Sequence, residues 1–511
     1  MQIPTPILFL GFLSPTIALA HSNLTVDTSN GLIAGHFSSS HPGVIEYLGV
    51  PYAQPPVGEL RFEAPRPYQG EDEYIADNFV RPILHSQIGS FIDCPYTKSS
   101  PVDYPGKTPQ FDRIWSAVAL HSNNTQSEDC LTLNIWTKQS PGKLRKPVLV
   151  HFYGGRFTTG TTNTPFYYGA DLADSEDIIV VTVNFRMNVF GFPGIPGLPP
   201  NVGLLDQRRA VEWIRDNILV FGGDPQRIVI SGQSSGSAAV DYWSYAYAQN
   251  PIAAGLISHS GTVLSFPVNS RELSTQHWYN LSSLLGCGSW GDVLPCMKKQ
   301  SVSAILAAAA RIPAPPDSSG ARRPPVFQPT VDDVTIFDDY ERRSRNGQFA
   351  HVPYLLGHTD NEAGFYKVTA YAQGTNLTDA EWNTFNVETF ACPTAKEATN
   401  RIRAGVLTWR FRYFADWNNT RLYPTSGAYH GVDMHMVFGN SELVSGLPES
   451  APQKQLKRTV QHAWATFVRD PSRGLTELGW PQFNPGGRIT KPHYRFIQML
   501  FYSSCLAEIL D

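Results

Sequence analysis

The stretch Arg227-Ile-Val-Ile-Ser-Gly-Gln-Ser-Ser-Gly236 joins a short apolar run to a G-x-S-x-G pattern. In this pattern the chain leaves a strand and enters a helix through a sharp turn, which lifts the hydroxyl of the middle serine out of the sheet. The glycines on either side lack a Cβ and so allow the backbone segments to approach closely. Ser234 is therefore the predicted nucleophile. Because the pattern also occurs by chance, its surroundings must decide.

Apolar runs and amphipathic stretches alternate around this segment, which predicts an α/β fold with a parallel sheet. The sequence predicts strands over residues 146–153, 177–184, 227–231, 256–259 and 352–357, and helices over 204–220, 237–248 and 453–469. A proline-rich stretch, residues 312–329, is predicted to be a surface loop.

The composition is that of a globular enzyme. The chain has 511 residues, of which 42% are hydrophobic and 12% aromatic, and a chain of this length can bury a large core. Its formal net charge is −4, so the electrostatic footprint of a nucleic-acid-binding protein is missing and no nucleic-acid partner is expected.

Residues 1–20 are predicted to be a signal peptide. An apolar stretch ends at Ala18-Leu-Ala20, a small-x-small cleavage pattern, so the mature chain is expected to begin near His21. A membrane anchor or a buried strand is the alternative, but Pro15 and the small residues that follow favour cleavage. No later segment is long and apolar enough to predict a transmembrane helix.

Six cysteines and five N-x-S/T sequons predict a secreted glycoprotein. The even number of cysteines and the lack of a C-x-x-C pair favour disulfides over a metal site, and the pattern alone leaves the pairing open. The cysteines are Cys94, Cys130, Cys287, Cys296, Cys392 and Cys505. The candidate glycosylation sites, of which some are expected to be empty, are Asn23, Asn123, Asn280, Asn376 and Asn418.

Four further blocks resemble the type-B carboxylesterases, the family that includes cholinesterases and fungal lipases. The blocks are Tyr47-Leu-Gly-Val-Pro-Tyr-Ala-Gln-Pro-Pro-Val-Gly-Glu-Leu-Arg-Phe62, Ser127-Glu-Asp-Cys-Leu-Thr-Leu-Asn134, Asn201-Val-Gly-Leu-Leu-Asp-Gln207 and Asn217-Ile-Leu-Val-Phe-Gly-Gly-Asp-Pro225. The resemblance runs from about Ser29 to the C-terminus. It implies an α/β-hydrolase fold: a central, mostly parallel, twisted sheet with helices on both faces and a cap around an active-site gorge. Residues 21–511 would form one such domain.

The resemblance also supplies an acid and a base for the serine, in the chain order Ser, acid, His. The block Gly357-His-Thr-Asp-Asn-Glu-Ala-Gly-Phe365 places the acid at Glu362, and Gly427-Ala-Tyr-His-Gly-Val-Asp433 places the base at His430. Glu362 would accept a hydrogen bond from the imidazole, and His430 would remove the serine proton. The nearby Asp360 is interpreted as a solvated turn residue, and His259 and His358 as structural.

Backbone amides are predicted to bind the oxyanion of the tetrahedral intermediate. The predicted donors are the amides of Gly155, Arg156 and Ser235. The family usually has a third glycine where this chain has Arg156. If the backbone there needs a positive φ, a non-glycine residue costs about 1–2 kcal/mol. The side chain would either face the pocket or turn away into a structural pair, and the second is favoured.

Gln233 is another departure from the family pattern, which commonly has Glu before the serine. A neutral amide cannot help to neutralise a cationic substrate, so the sequence predicts neutral or anionic esters rather than choline esters. The alternative is that Gln233 only forms hydrogen bonds within the gorge.

The resemblance implies the disulfides Cys94–Cys130, Cys287–Cys296 and Cys392–Cys505. In fungal lipases the loop closed by the first of these is a mobile lid. In this chain the loop carries an apolar stripe, which is more often simple packing: Phe111, Ile114, Trp115, Val118 and Leu120.

The sequence therefore predicts a secreted serine hydrolase for small-molecule or lipid carboxylic esters, with neither metal nor organic cofactor. Acyl transfer to an alcohol and hydrolysis of long-chain glycerides remain alternatives, because the pocket chooses the acceptor and the acyl chain. A binding protein without activity is less favoured, since all three triad positions are filled. The oligomeric state is left open.

Overall fold

The computed structural model of the protein describes residues 24–70, 74–75, 92–98, 100–118, 124–139, 145–314, 324–485 and 497–499. The strands are Thr25–Thr28 (β1), Gly31–Ala34 (β2), His36–Phe37 (β3), Val44–Pro51 (β4), Tyr74–Ile75 (β5), Ile92–Asp93 (β6), Thr125–Gln126 (β7), Thr132–Lys138 (β8), Lys146–Phe152 (β9), Ile179–Val183 (β10), Gly223–Gln233 (β11), Gly255–His259 (β12), Tyr354–Thr359 (β13), Thr408–Tyr413 (β14) and Ile497–Met499 (β15).

The α-helices are Phe111–Val118 (α1), Ala170–Glu176 (α2), Asn188–Gly191 (α3), Val202–Asn217 (α4), Ser235–Ala246 (α5), Arg271–Leu284 (α6), Leu294–Lys298 (α7), Val302–Ala309 (α8), Tyr340–Arg345 (α9), Ala363–Ala372 (α10), Asp379–Asn386 (α11), Cys392–Arg403 (α12), Met434–Phe438 (α13), Ser441–Ser445 (α14), Ala451–Arg469 (α15) and Gly474–Glu477 (α16). Short 3₁₀ turns cover Gly58–Leu60, Pro165–Tyr167 and Ile218–Phe221, and a π-helical turn covers Val387–Ala391.

Most strands join one large mixed sheet in the order β15-β14-β13-β12-β11-β9-β10-β8-β4-β3. The central strands, from β10 to β14, pair in parallel, whereas β15 at one edge and β8, β4 and β3 at the other pair antiparallel. The sheet with its surrounding helices is an α/β-hydrolase fold, as the sequence predicts.

The central strands are apolar because both faces of the sheet are covered. All residues of β9, β10 and β12 are buried, which is typical of parallel strands between layers of helices. The helix α4 shows the complementary pattern: Val211, Trp213 and Ile214 are buried, and polar residues occupy the other face. The apolar runs thus place the sheet at the centre of the core.

The predicted elements are present, with boundaries that differ by a few residues. The strand predicted at 352–357 begins instead at Tyr354, because Pro353 has no N–H to donate to a ladder. The helix predicted at 204–220 ends at Asn217, and a 3₁₀ turn then leads to Gly222, whose φ of 87° closes it. Of the proline-rich stretch, the described residues 312–314 and 324–329 lie outside helices and strands, but Ile312, Phe327 and Gln328 are buried, so this part is a loop that is not confined to the surface.

The parallel strands β9, β11, β12 and β13 are neighbours, and the loops at their carboxyl ends meet at one edge of the sheet. This is where α/β folds place their ligands. These loops contain the predicted oxyanion segment, the predicted nucleophile, Ser260 and Glu362. In the part of the chain that the structure describes, none of the helices has the length and apolar character to span a membrane.

Candidate active site

The turn at Ser234 has the strained geometry that the motif predicts. Ser234 has φ 59° and ψ −123°, a conformation that a non-glycine residue adopts only where the surroundings enforce it. Its N–H donates to the carbonyl of His259 over 2.8 Å. A Cβ at Gly232 would lie 2.2 Å from the Gly236 oxygen, and one at Gly236 would lie 2.1 Å from the Phe152 oxygen. Both glycines are therefore required by close backbone contacts.

Glu362 lies under the imidazole of His430. Its Oε2 accepts from Nδ1 of His430 in a short contact. Its Oε1 accepts from Ser260 Oγ over 2.6 Å and from the Thr359 N–H over 2.8 Å. The carboxylate is 1% exposed, so these donors replace its water shell. The arrangement fixes the imidazole with a proton on Nδ1, because a carboxylate can only accept. Ser260 was not predictable from the sequence, because no local motif marks it.

The second nitrogen of His430 faces Gln233. Its Nε2 lies 3.1 Å from Nε2 of the Gln233 amide. Ser234 follows Gln233 in the chain and is 4% exposed. Within the described residues, its hydroxyl has no hydrogen-bond partner. The structure therefore brings the three predicted residues to one place, with the amide of Gln233 on the nitrogen that a serine proton would reach.

Aromatic rings enclose His430. The rings of Tyr366 and Phe390 each lie 5.1 Å from the imidazole, and that of Phe365 lies 6.1 Å away. These residues come from α10 and the π-helical turn, the part of the structure that covers the carboxyl edge of the sheet. The rings exclude water from the imidazole, which is 8% exposed, and so strengthen its contact with Glu362.

The predicted oxyanion segment has positive φ over three successive residues: 128° at Gly155, 62° at Arg156 and 58° at Phe157. A Cβ at Gly155 would lie 2.0 Å from the Thr159 oxygen, so only glycine fits there. Arg156 carries the conformational cost that the sequence suggested for a residue in place of glycine. This residue is half-buried and lines the same cavity as Ser234.

Ser235 supports this segment from below. Its N–H lies in the first turn of α5, where a helix has no internal acceptor for it and where the helix dipole favours a negative charge. Its hydroxyl accepts from the Phe157 N–H over 3.3 Å. The sequence predicted a role for the amide alone, so the contact of the hydroxyl is an addition from the structure.

The neighbouring candidates lie elsewhere. Asp360 pairs with Arg412, with 2.5 Å between Oδ1 and Nη2, and is partly exposed. His358 is buried and donates from Nδ1 to the Thr359 carbonyl over 2.9 Å; burial lowers its pKa to about 3. His358 therefore keeps the structural role that the sequence suggested, whereas Asp360, interpreted as a solvated turn residue, forms an ion pair.

His259 has a structural role of a more specific kind. Its Nδ1 donates to Asp433 Oδ2 over 2.6 Å, and its Nε2 accepts from Trp464 Nε1 over 2.9 Å. Asp433 follows His430 by three residues, and the His259 carbonyl binds the Ser234 N–H. One buried residue therefore connects the nucleophile turn with the segment that carries the predicted base.

A cavity of about 960 Å³ opens above Ser234 and His430. Its wall combines the oxyanion segment with aromatic side chains from the cap, namely Trp115, Phe166, Tyr167, Phe365, Tyr366 and Tyr371. Such a mostly apolar cleft with a few converging polar groups is typical of a site for a small organic molecule.

The helix α1 in the Cys94–Cys130 loop is attached to the body of the protein. Arg113 donates from Nε to the Val444 carbonyl over 3.1 Å, and Gln110 donates to the Asn418 carbonyl over 2.6 Å. The apolar side chains Phe111, Ile114 and Trp115 face inward and are buried, and Val118 is partly buried. Leu120, the last residue of the predicted stripe, lies outside the described residues. Phe111 and Ile114 are therefore core packing, whereas Trp115 and Val118 also line the cavity above Ser234.

The structure joins Cys94 to Cys130 and Cys287 to Cys296. Cys392 is also in a disulfide, and its expected partner Cys505 lies outside the described residues. Three of the sequon asparagines are exposed, namely Asn280, Asn376 and Asn418. The other two, Asn23 and Asn123, fall outside the described residues, as does the predicted signal peptide.

Comparison with known proteins places this geometry in a family. The sequence profile described as "Carboxylesterase family" matches residues 22–390. The chain is 33% identical over 487 residues to a chlorogenic acid esterase of Aspergillus niger, covering 91% of this chain and 89% of that protein. It is 31% identical over 507 residues to secreted lipase 5 of Gibberella zeae, covering 92% and 90%.

Among solved structures, a PNB esterase superposes with a TM-score of 0.76 at 24% identity, covering 94% of this chain and 97% of that one. This likeness supports the α/β-hydrolase fold. The family profile and the esterases among the similar proteins lead to the conclusion that the chain belongs to the carboxylesterase family and is a carboxylic ester hydrolase.

Proposed function

We propose that this protein is a secreted serine esterase that works through Ser234, His430, Glu362 and an acyl-enzyme intermediate. The observation that carries the proposal is the contact of His430 with Glu362 in the wall of the cavity into which the Ser234 turn opens. A buried carboxylate orients the ring, and the other ring nitrogen faces the segment of the nucleophile.

In the proposed reaction the Ser234 oxygen attacks the ester carbonyl while His430 Nε2 takes its proton. The carbonyl oxygen becomes an oxyanion on the amides of Gly155, Arg156 and Ser235. The imidazolium, stabilised by Glu362, gives the proton to the leaving alcohol as the C–O bond breaks. Water then attacks the acyl-enzyme with its proton passing to Nε2, the bond between the acyl carbon and the Ser234 oxygen breaks, and Nε2 returns the proton to that oxygen as the carboxylic acid is released.

Substitution of the three residues tests this proposal. Ser234→Ala is expected to lower kcat by about 10⁴-fold or more, and His430→Ala by a similar factor. Glu362→Gln is expected to be severe but milder, because this residue orients the ring. Asp360→Asn is the matched control for Glu362, since Asp360 pairs with Arg412 instead. An organophosphonate should label Ser234 stoichiometrically; labelling of Ser235, or loss of activity in Asp360→Asn alone, would reject the assignment.

We further propose a preference for neutral or anionic esters. Gln233 is uncharged, and Arg156 lies in the wall of the cavity. A guanidinium that faces this cavity would disfavour a quaternary ammonium. The kcat/KM for butyrylcholine should lie well below that for an uncharged isostere, and efficient turnover of butyrylcholine would contradict the preference. Arg156→Ala should affect carboxylate-bearing esters more than neutral ones if the guanidinium takes part.

The attachment of α1 favours an esterase over a lipase that opens a lid at an interface. Because Arg113 and Gln110 fasten this helix to distant carbonyls, activity on p-nitrophenyl esters of increasing chain length should show no jump above the solubility limit. Such a jump would favour the lipase alternative.

Secretion, glycosylation and the domain assignment complete the proposal. Residues 1–20 would be removed as a signal peptide, and residues 21–511 would form one domain. The disulfides and the exposed sequon asparagines support an extracellular protein. Intact mass before and after enzymatic deglycosylation checks the first two points: a mature chain that still contains residues 1–20, or a mass unchanged by deglycosylation, would contradict them.

A further inference from the structure

The amide of Gln233 contacts the nitrogen of His430 that the proposed reaction uses. Nε2 of His430 must receive the proton of Ser234, yet the nitrogen of the Gln233 amide lies 3.1 Å from it. The two residues are 197 positions apart in the chain and both are buried. The contact is thus a product of the fold.

The hydrogen-bonding logic determines which end of the amide faces the ring. Nδ1 carries the proton that Glu362 accepts, so Nε2 of the neutral imidazole offers only a lone pair. Of the two ends of a glutamine amide, only the NH₂ can donate to a lone pair. The opposite orientation would require a proton on Nε2, which is the imidazolium form.

Two glycines leave the space that the Gln233 amide occupies. A Cβ at Gly154 would lie 2.6 Å from Oε1 of Gln233, and one at Gly431 would lie 3.2 Å from its Nε2. The amide therefore lies between two glycines, one in the oxyanion segment and the other beside His430.

We propose that Gln233 is a positioning residue that acts through His430. In the resting enzyme its amide donates to Nε2 and stabilises the unprotonated, neutral base. When an ester occupies the cavity, the Ser234 hydroxyl takes over this lone pair and the amide withdraws. This inference rests on the proposed role of His430 as general base.

The consequence is measurable as a pH dependence. A donor to the neutral form of a base lowers its pKa, whereas a carboxylate at the same place would stabilise the imidazolium and raise it. The amide thus keeps the base in its working form at lower pH than a glutamate would. A residue that merely fills space would change the rate without moving the pH at which activity is lost.

Other titratable and charged groups surround His430, but they are the same in every variant of position 233. Glu362 contacts Nδ1, and the Tyr366 ring lies 5.1 Å away. The further groups are Asp433 and His435 on its own segment, His259 beneath it, and Asp103, Arg156, Tyr167 and Tyr371 in the cavity wall. A shift between variants therefore reports on position 233.

The test compares wild type with Gln233→Met and Gln233→Glu. The acid limb of the kcat/KM profile for a neutral p-nitrophenyl ester is measured, together with that of the rate of inactivation by an uncharged organophosphonate. Loss of the donor in Gln233→Met should raise the pH of the limb by roughly 0.4–1 unit, as expected for one hydrogen bond. Gln233→Glu should raise it by about 1–3 units, as expected for a carboxylate next to an imidazolium.

The inference is judged from a control variant and from the order of the acid limbs of wild type, Gln233→Met and Gln233→Glu along the pH axis. Gln207→Met replaces a glutamine of α4 that is also buried and whose Nε2 has no partner among the described residues; its limb should match wild type. If either Gln233 variant keeps the wild-type limb, or if the methionine limb lies above the glutamate limb, the inference is wrong. Failure of the proposed function would look different, because Ser234→Ala or His430→Ala would then remain active.

Discussion

Ser235→Ala should lower kcat, but far less than loss of the Ser234 hydroxyl, because the Ser235 side chain restrains the proposed oxyanion segment. The hydroxyl accepts the N–H of Phe157 over 3.3 Å. Phe157 follows Arg156, a proposed donor to the oxyanion, and both have φ near 60°. Three successive residues with positive φ tend to relax toward ordinary conformations, so their restraint by Ser235 preserves the direction of the Arg156 N–H.

The size of the effect follows from that bond. A neutral hydrogen bond contributes about 0.5–1.5 kcal/mol, and a buried N–H left without a partner costs about 1–3 kcal/mol. If about 1–2 kcal/mol of this appears in the transition state, kcat falls roughly 5- to 30-fold. Removal of the Ser234 hydroxyl should cost about 10⁴-fold or more, so the two serines are separated by orders of magnitude.

The assay is kcat and KM for a neutral p-nitrophenyl ester, with thermal unfolding measured on the same samples. Ser237→Ala is the matched control: its buried hydroxyl lies on the same helix and donates to the Gly261 carbonyl over 2.6 Å. It should lower stability at least as much while leaving kcat closer to wild type. A Ser235→Ala enzyme with unchanged kcat would show that the segment is restrained by other contacts. A loss as large as that of Ser234→Ala would instead make Ser235 the nucleophile.

Three further predictions follow from buried contacts and cysteine chemistry. Burial and the neighbouring Glu397 raise the pKa of Asp241 to about 7. Between pH 3.8 and about 7 the folded protein therefore keeps a proton that the unfolded chain has released, so the free energy of unfolding should fall with rising pH, by up to about 1.4 kcal/mol per pH unit. Asp241→Asn should flatten this dependence in urea unfolding at stepped pH, and an unchanged slope would exclude Asp241 as its source. Ser260→Ala removes a 2.6 Å donor to the Glu362 carboxylate and should lower kcat roughly 10- to 100-fold with KM little changed; wild-type kcat would show that Glu362 needs no such support. A thiol reagent should find no free cysteine in the unreduced, denatured mature chain, and labelling would contradict the three-disulfide assignment.

Local motifs made the main parts of the site predictable from the sequence. Ser234 lies in a pattern whose glycines are required by backbone contacts within a few residues. Glu362 and His430 lie in blocks that resemble those of a known family. The strands of the central sheet were predictable because both faces are buried, and burial on both faces leaves an uninterrupted apolar run.

The contacts that adjust the site were not predictable, because they join residues far apart in the chain. Ser260 and Glu362 are 102 positions apart, and Gln233 and His430 are 197 apart. A serine or a glutamine carries no sign of such a partner in its neighbouring sequence. From the sequence, a conformational cost at Arg156 could be predicted only for the case that its φ is positive. The sequence could not give the angle itself, because the angle depends on the packing of the whole segment.

The connection of His259 to Trp464 has a consequence for the order in which the protein is built. Trp464 lies in α15, and its indole completes the chain of bonds that runs through His259 to Asp433. During synthesis the turn at Ser234 therefore leaves the ribosome long before the helix that stabilises it. Until residues 451–469 have emerged and docked, the nascent chain can hold a folded sheet and still lack a finished active site. Activity then begins only after α15 has docked.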